Sequence, residues 1–168
     1  GYINFTIVSS ILINLSVDTL DWGSGAINSG ELNATLYTNG SGSGAVYRGN
    51  WTGENARALV VQNIGSFNCS LFIQTEKNAH DFFESASNSN EEYKINVSNK
   101  DSGSCSAGVL GQWIDANKTS GGTKYCNQFY FSEGSNELYI NVLITVPADS
   151  NKIDEQSDTI TITGNVAN

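Results

Sequence analysis

Residues 137–146 read ELYINVLITV. Leu138, Ile140, Val142, Ile144 and Val146 fall at every second position, so in an extended chain all five project to one face. Ile and Val are stiff at χ1 and fit a pleated surface better than a helix. The stretch is therefore a strand with one buried face, and its signal is the strongest in the chain.

The same period of two spreads outward from it. Toward the C-terminus, DTITITG (158–164) turns Ile160 and Ile162 inward and Thr159, Thr161 and Thr163 outward. Toward the N-terminus, KYCNQFYF (124–131), AGVLGQWI (107–114), YKINVS (93–98), NCSLFIQT (68–75), ARALVVQNI (56–64), AVYRGNW (45–51) and ELNATLYT (31–38) each read as a strand. NGSGSG (39–44) is a loop tip, and Ile11, Ile13, Leu15 and Val17 alternate again near the start. Only KNAHDFFESASN (77–88) has helical spacing, with Ala79, Phe82 and Phe83 on one face, enough for one or two turns. Nine or ten short strands joined by tight turns predict an all-β fold, a two-sheet jelly-roll or immunoglobulin-like sandwich with at most one short helix. The 168 residues show no repeat and no linker, so residues 11–168 are expected to form a single domain.

Composition narrows the function. Charged residues are 15% of the chain, and polarity comes from Asn, Ser, Thr and Gly, which favour turns over helices. A net charge of −9 argues against nucleic acid and against docking on anionic lipid, and its simplest consequence is solubility. No run of apolar residues is long enough for a membrane span. The nearest, residues 1–17, is interrupted by Asn4, Thr6, Ser9, Ser10, Asn14 and Ser16, unlike the unbroken helix of a type IV pilin. The chain has no methionine and starts at Gly1, as a secreted chain freed of its signal peptide would.

Asn-x-Ser/Thr triplets occur at Asn4, Asn14, Asn33, Asn39, Asn50, Asn68, Asn96 and Asn117. The 21 asparagines and 33 serines plus threonines would give about four by chance, so the excess is modest but suits a surface protein carrying N-linked glycans. Of three cysteines, Cys105 lies in a turn-rich stretch and Cys126 opens an apolar strand. These two are the expected disulfide in an oxidising compartment, although sequence leaves all three pairings open. Cys69 alternates with Leu71 and Ile73 and reads as a small core residue.

Catalytic patterns are missing. His80 has no Cys or second His at ligand spacing, HExxH and GxSxG do not occur, and the glycines of 40–44 do not form a dinucleotide loop. Asp149, Asn151 and Asp154 offer oxygens to calcium, but Ile153 stands where an EF-hand needs a ligand, and a solvated turn is the better reading. Asp18, Asp21 and Glu31 form a second, equally weak acidic group. Trp22, Trp51 and Trp113 read first as core anchors and second as sugar-stacking platforms. No catalytic residue, metal ligand or cofactor is assigned.

The N-terminal segment carries the functional expectation. Ile3, Phe5 and Ile7 face one way and Asn4 and Thr6 the other. A terminal apolar strand left free would aggregate, so it must pair with a sheet edge. That edge belongs either to its own domain or to a neighbour's, in which case residues 1–10 act as a donor strand. Burying Ile3, Phe5 and Ile7 is worth roughly 5–9 kcal/mol, and a head-to-tail link of this kind does not close, so it grows a filament. Ser9 and Ser10 would be the hinge.

The stretch LVVQNIGSFNCSLFIQT (59–75) resembles the strand, Asn-x-Gly-Ser turn, strand hairpin of camelysin/TasA-like matrix-fibre proteins. LSVDTLDWGSGAINSGE (15–31) and the closing residues 137–164 look like the first and last strands of related archaeal surface sandwiches. The resemblance implies a jelly-roll subunit of an extracellular fibre, an archaeal bundling-pilin-like filament in which Tyr2, Ile3, Phe5, Ile7 and Val8 complete the next subunit of a homopolymer. Some camelysins are described as proteases, an activity for which this chain has no constellation. The rival classes are a monomeric carbohydrate-binding or adhesin domain, which exposed tryptophans would reveal, and a metal-dependent hydrolase, which chelation would inactivate.

Overall fold

A computed structural model describes residues 10–40, 44–53, 55–86, 90–152 and 154–167. Within them the order is β1 (Ile13–Val17), β2 (Asn33–Tyr37), β3 (Ala45–Tyr47), β4 (Leu59–Asn63), β5 (Cys69–Thr75), α1 (Ala79–Phe83), β6 (Glu92–Asn99), β7 (Cys105–Gly108), β8 (Ile114–Asp115), β9 (Thr123–Phe129), β10 (Glu137–Pro147) and β11 (Ile160–Val166). The expected donor residues Tyr2, Ile3, Phe5, Ile7 and Val8, and Asn4, lie outside the described residues. The protein is an all-β sandwich of two antiparallel sheets. One has seven strands centred on β10, and the other runs β11-β5-β9-β7. No helix among the described residues is long and apolar enough to cross a membrane.

The strand that decides the fold is also its hub. β10 has 11 residues, about twice the usual strand length, and so takes several partners. One edge pairs with β6 from Leu138 to Thr145. The other is shared end to end, with Glu137 to Ile140 on β4 and Leu143 to Pro147 on β2. The junction would leave the backbone groups of Val142 unpaired in a buried place. Thr38 closes it, because its Oγ1 accepts from Val142 N at 3.0 Å and its own N–H donates to Val142 O at 2.9 Å. Asn141 Oδ1 accepts from Gly40 N, and its Nδ2 donates to Ser98 Oγ.

The alternating residues of both sheets meet in one core. Val61, Ile95, Val97, Leu138 and Ile140 come from the larger sheet, and Cys69, Leu71, Ile73, Tyr125 and Phe129 from the smaller. Cys69 is fully buried, and burial pushes its thiol up to about 11. Alkylation with iodoacetamide at pH 8 is expected to spare Cys69 in the folded protein and to label it after denaturation without reductant. Native labelling at the unfolded rate would contradict its place in the core. Cys105 and Cys126 form a disulfide across β7 and β9, with Cα atoms 5.9 Å apart. A crosslink separated by 21 residues restricts the unfolded chain and is worth about 3 kcal/mol.

Two local expectations change. Residues 59–75 are not a hairpin: β4 pairs with β1 and β10, while β5 pairs with β11 and β9. The turn between them is an arch from one sheet to the other, pinned by Asn63. Its Nδ2 donates to Phe67 O at 2.9 Å and to Phe129 O at 3.1 Å, and its Oδ1 accepts from Gly65 N. Residues 107–114 are not one strand either. Gly108 has φ +152°, and a Cβ there would lie 2.3 Å from Tyr125 O, so only glycine lets the chain turn away from β9. Beyond it Gly111 N donates to Val97 O, and β8 joins β6 in the larger sheet.

The helix has the one to two turns its spacing predicts. Asn78 caps it with a reciprocal bond pair to Asp81, Glu84 ends it at φ +45°, and Phe82 packs edge-on against Tyr93.

Candidate functional site

Each sheet ends in a strand on both sides of the sandwich, and the two sides are finished differently. On the β6/β7 side the chain itself crosses between sheets. β7 lies on β9, Val109 N donates to Tyr125 O, Leu110 bridges Val97, and β8 lies on β6. That crossing, beside the Cys105–Cys126 disulfide, closes the side.

On the opposite side the larger sheet ends in β1 and, past the other end of β10, in β3, and the smaller sheet ends in β11. β1 pairs with β4 and β11 with β5, and among the described residues neither has a partner on its outer edge. The two edges approach at one point. A Cβ on Gly164 would stand 2.9 Å from Ile11 Cγ2 and 3.0 Å from Ile13 Cγ1, so this glycine is what allows β1 to lie against β11. Along the rest of the side, inward-facing Ile13, Leu15 and Val17 of β1 and Ile160 and Ile162 of β11 are only half-buried. Their neighbours Val61, Leu71 and Ile73, one strand further in, are buried. Among the described residues, the apolar surface of this side is therefore unfinished.

β11 also lacks the features that keep an edge from pairing. Exposed edges are usually blunted by lysine, proline, a bulge or shortness. The sequence ITITGNV has no charge and no proline, and its seven residues pair with β5 in unbroken register. An added strand with three inward side chains at alternate positions would sit over Ile160, Ile162 and Gly164, and Ile3, Phe5 and Ile7 have that spacing.

The other expected sites separate. Asp149 Oδ1 accepts from Ser85 Oγ and Asn151 Nδ2 donates to Glu84 O, so both tie the turn after β10 to the end of α1, and Asp154 is exposed. Asp21 accepts from Gly23 N, Asp18 from Thr19, and Glu31 pairs with Arg48, so these carboxylates have separate duties. No group of three metal-ligand side chains occurs among the described residues. His80 Nδ1 lies 3.1 Å from Glu91 Oε1 at the rim of a cleft of about 250 Å³ that Glu92, Tyr93 and Asp115 also line. The neighbouring Lys94 holds the Glu92 carboxyl below its ordinary range, which makes it a poor proton donor.

Trp22 and Trp51 are half-buried under glycines: Cβ atoms on Gly44 and Gly25 would fall within 2.5 Å of Trp22 and Trp51, respectively. Trp113 is 39% exposed. Of the glycan acceptors, Asn14, Asn39 and Asn50 are exposed, and Asn33, Asn68 and Asn117 are half-buried. Asn96 differs from these: it lies opposite Asn141 in the β6–β10 pairing and is buried, at 7% exposure.

Searches against family models, curated proteins and solved structures return no match to this chain.

Proposed function

We propose that the protein is a structural, non-catalytic subunit of an extracellular filament, polymerised by addition of one subunit's N-terminal strand to the open β11 edge of the next. The observation that carries this reading is the unprotected edge of β11, flanked by half-buried Ile160 and Ile162, in a chain whose first residues alternate apolar and polar. Strand addition supplies a ladder of main-chain hydrogen bonds together with side-chain burial, and each ladder bond adds about 1 kcal/mol net. The link joins two different surfaces, so it propagates.

The extracellular setting draws support from the disulfide, which persists in oxidising compartments. It also draws on the exposed acceptors Asn14, Asn39 and Asn50, proposed as sites of N-linked glycans together with Asn4, Asn33, Asn68 and Asn117. The kinship with camelysin/TasA-like fibre proteins and archaeal bundling pilins belongs to the same proposal.

Phe5→Asp is the direct test. A carboxylate at the central inward position cannot be buried without several kcal/mol of cost, roughly the whole gain from the strand. Negative-stain microscopy should show fibres from the native chain and none from the variant. Fibres of normal length from Phe5→Asp would refute strand addition and move the reading to a monomeric adhesin or carbohydrate-binding domain, for which Trp113 is the exposed tryptophan.

A further inference from the structure

Eight large apolar side chains are exposed among the described residues, and five of them share one end of the sandwich. These are Leu12, Ile64, Phe67, Phe131 and Val166, at 52%, 47%, 49%, 41% and 68% exposure. The pairing pattern places them together. Ile64 N donates to Leu12 O, Asn63 binds both Phe67 O and Phe129 O, and Val166 and Phe129 both register with Cys69. They ring the arch between β4 and β5. The segments that carry them, 10–12, 64–69, 129–132 and 165–167, contain no charged residue.

Two further facts say what covers this end. The described chain begins beside the arch, where Ser10 N donates to Ser66 Oγ at 3.0 Å and Ser66 N donates to Ser10 O at 2.9 Å. Ser10, to which residues 1–9 are joined, is therefore next to the ring. The whole chain also carries −9, and although Glu133 follows the Phe131 segment and the Lys100–Glu137 ion pair lies beside Gln62, the ring segments themselves carry no charge, so identical copies repel least where these segments meet. An apolar face of this kind marks an interaction surface.

We propose that this apolar collar seats against a second copy of the chain, the one that receives residues 1–9, so that strand addition and end contact form one continuous interface. The proposal rests on the strand-addition reading and deepens it. The strand supplies the link, and the collar fixes how far it enters and at what angle the two subunits meet.

The test uses the full chain carrying Phe67→Ser and Phe131→Ser, with the concentration for fibre formation measured by sedimentation. Both side chains are exposed, so the subunit should melt as before, while the critical concentration rises about tenfold or more. An unchanged critical concentration overturns the collar and leaves strand addition standing. Strand addition itself is tested separately, by whether Phe5→Asp polymerises. Ile64→Lys, which puts a charge at an exposed position of the ring outside the β11 acceptor edge, should give a similar rise and covers the case in which the double variant misfolds. Hydrogen exchange adds an independent reading. Residues 62–68 and 129–132 should slow on assembly, and equal protection in the dilute subunit would mean that the chain covers its own collar, which overturns the second-copy proposal.

Discussion

A chain lacking residues 1–9 is expected to stay monomeric at concentrations where the full chain forms fibres, and to melt at a higher temperature when the peptide GYINFTIVS is supplied in trans. The argument starts from the half-buried residues Ile160 and Ile162 on β11 and Ile13 and Leu15 on β1. A peptide that adds to β11 covers them and buries Ile3, Phe5 and Ile7, a gross gain of roughly 5–9 kcal/mol from which the ordering of nine residues must be subtracted. Peptide at a hundred times its Kd would stabilise the truncated domain by about 2.7 kcal/mol. For a domain of this size that is a rise of about 5–10 °C in Tm. The scrambled peptide, with its alternation destroyed, should do nothing. A truncated chain that ignores the native peptide would remove β11 as an acceptor.

The second large effect concerns stability rather than assembly. Asn63→Leu is expected to cost about 3–5 kcal/mol, because it leaves Gly65 N, Phe67 O and Phe129 O without their partner in the interior. Urea denaturation measures it. Asn63→Asp should be comparably harmful, since the shape is kept while the two Nδ2–H donors are lost and a carboxylate faces two carbonyls. That pair of results separates the donor role from simple packing. A change under about 0.5 kcal/mol in both variants would mean that the arch holds without its pin.

These two residues sets also mark how far the sequence could be read. β5, β10 and β11 are legible because a strand with one buried face writes its period directly into the chain, as Cys69, Leu71 and Ile73 or Leu138, Ile140 and Val142 do. The arch was not. A hairpin and a sheet-crossing turn share the same local pattern of strand, short polar turn and strand, and which sheet receives β5 is decided by distant partners. One clue stood in the sequence: Asn63 follows Leu59 and Val61 at inward positions, and a polar residue at such a place must be bonding something specific. The break in residues 107–114 had a clue as well, in Gly108 and Gly111 within an apolar run.

The candidate site is divided in the same way. Residues 1–9 announce a strand that needs an edge, and ITITGNV shows no charge or proline. What local pattern cannot show is that β11 stands at the margin of its sheet, since the same seven residues would suit a central strand. Edge position comes from topology: among the described residues β11 pairs with β5 alone, while the opposite side is closed by the crossing at residues 108–114. The glycan acceptors teach a related lesson. The triplet at Asn96 reads like the other seven, and only its place in the middle of the larger sheet sets it apart.

The central claim is most directly tested by a cryo-electron microscopy structure of the assembled fibre at side-chain resolution. The account predicts that residues 1–9 of one subunit lie as a fifth strand beside β11 of the next, with Ile3, Phe5 and Ile7 turned toward Ile160, Ile162 and Gly164. Residues 1–9 folded into their own subunit's sheet, or a fibre contact that leaves the β11 edge open, would contradict it.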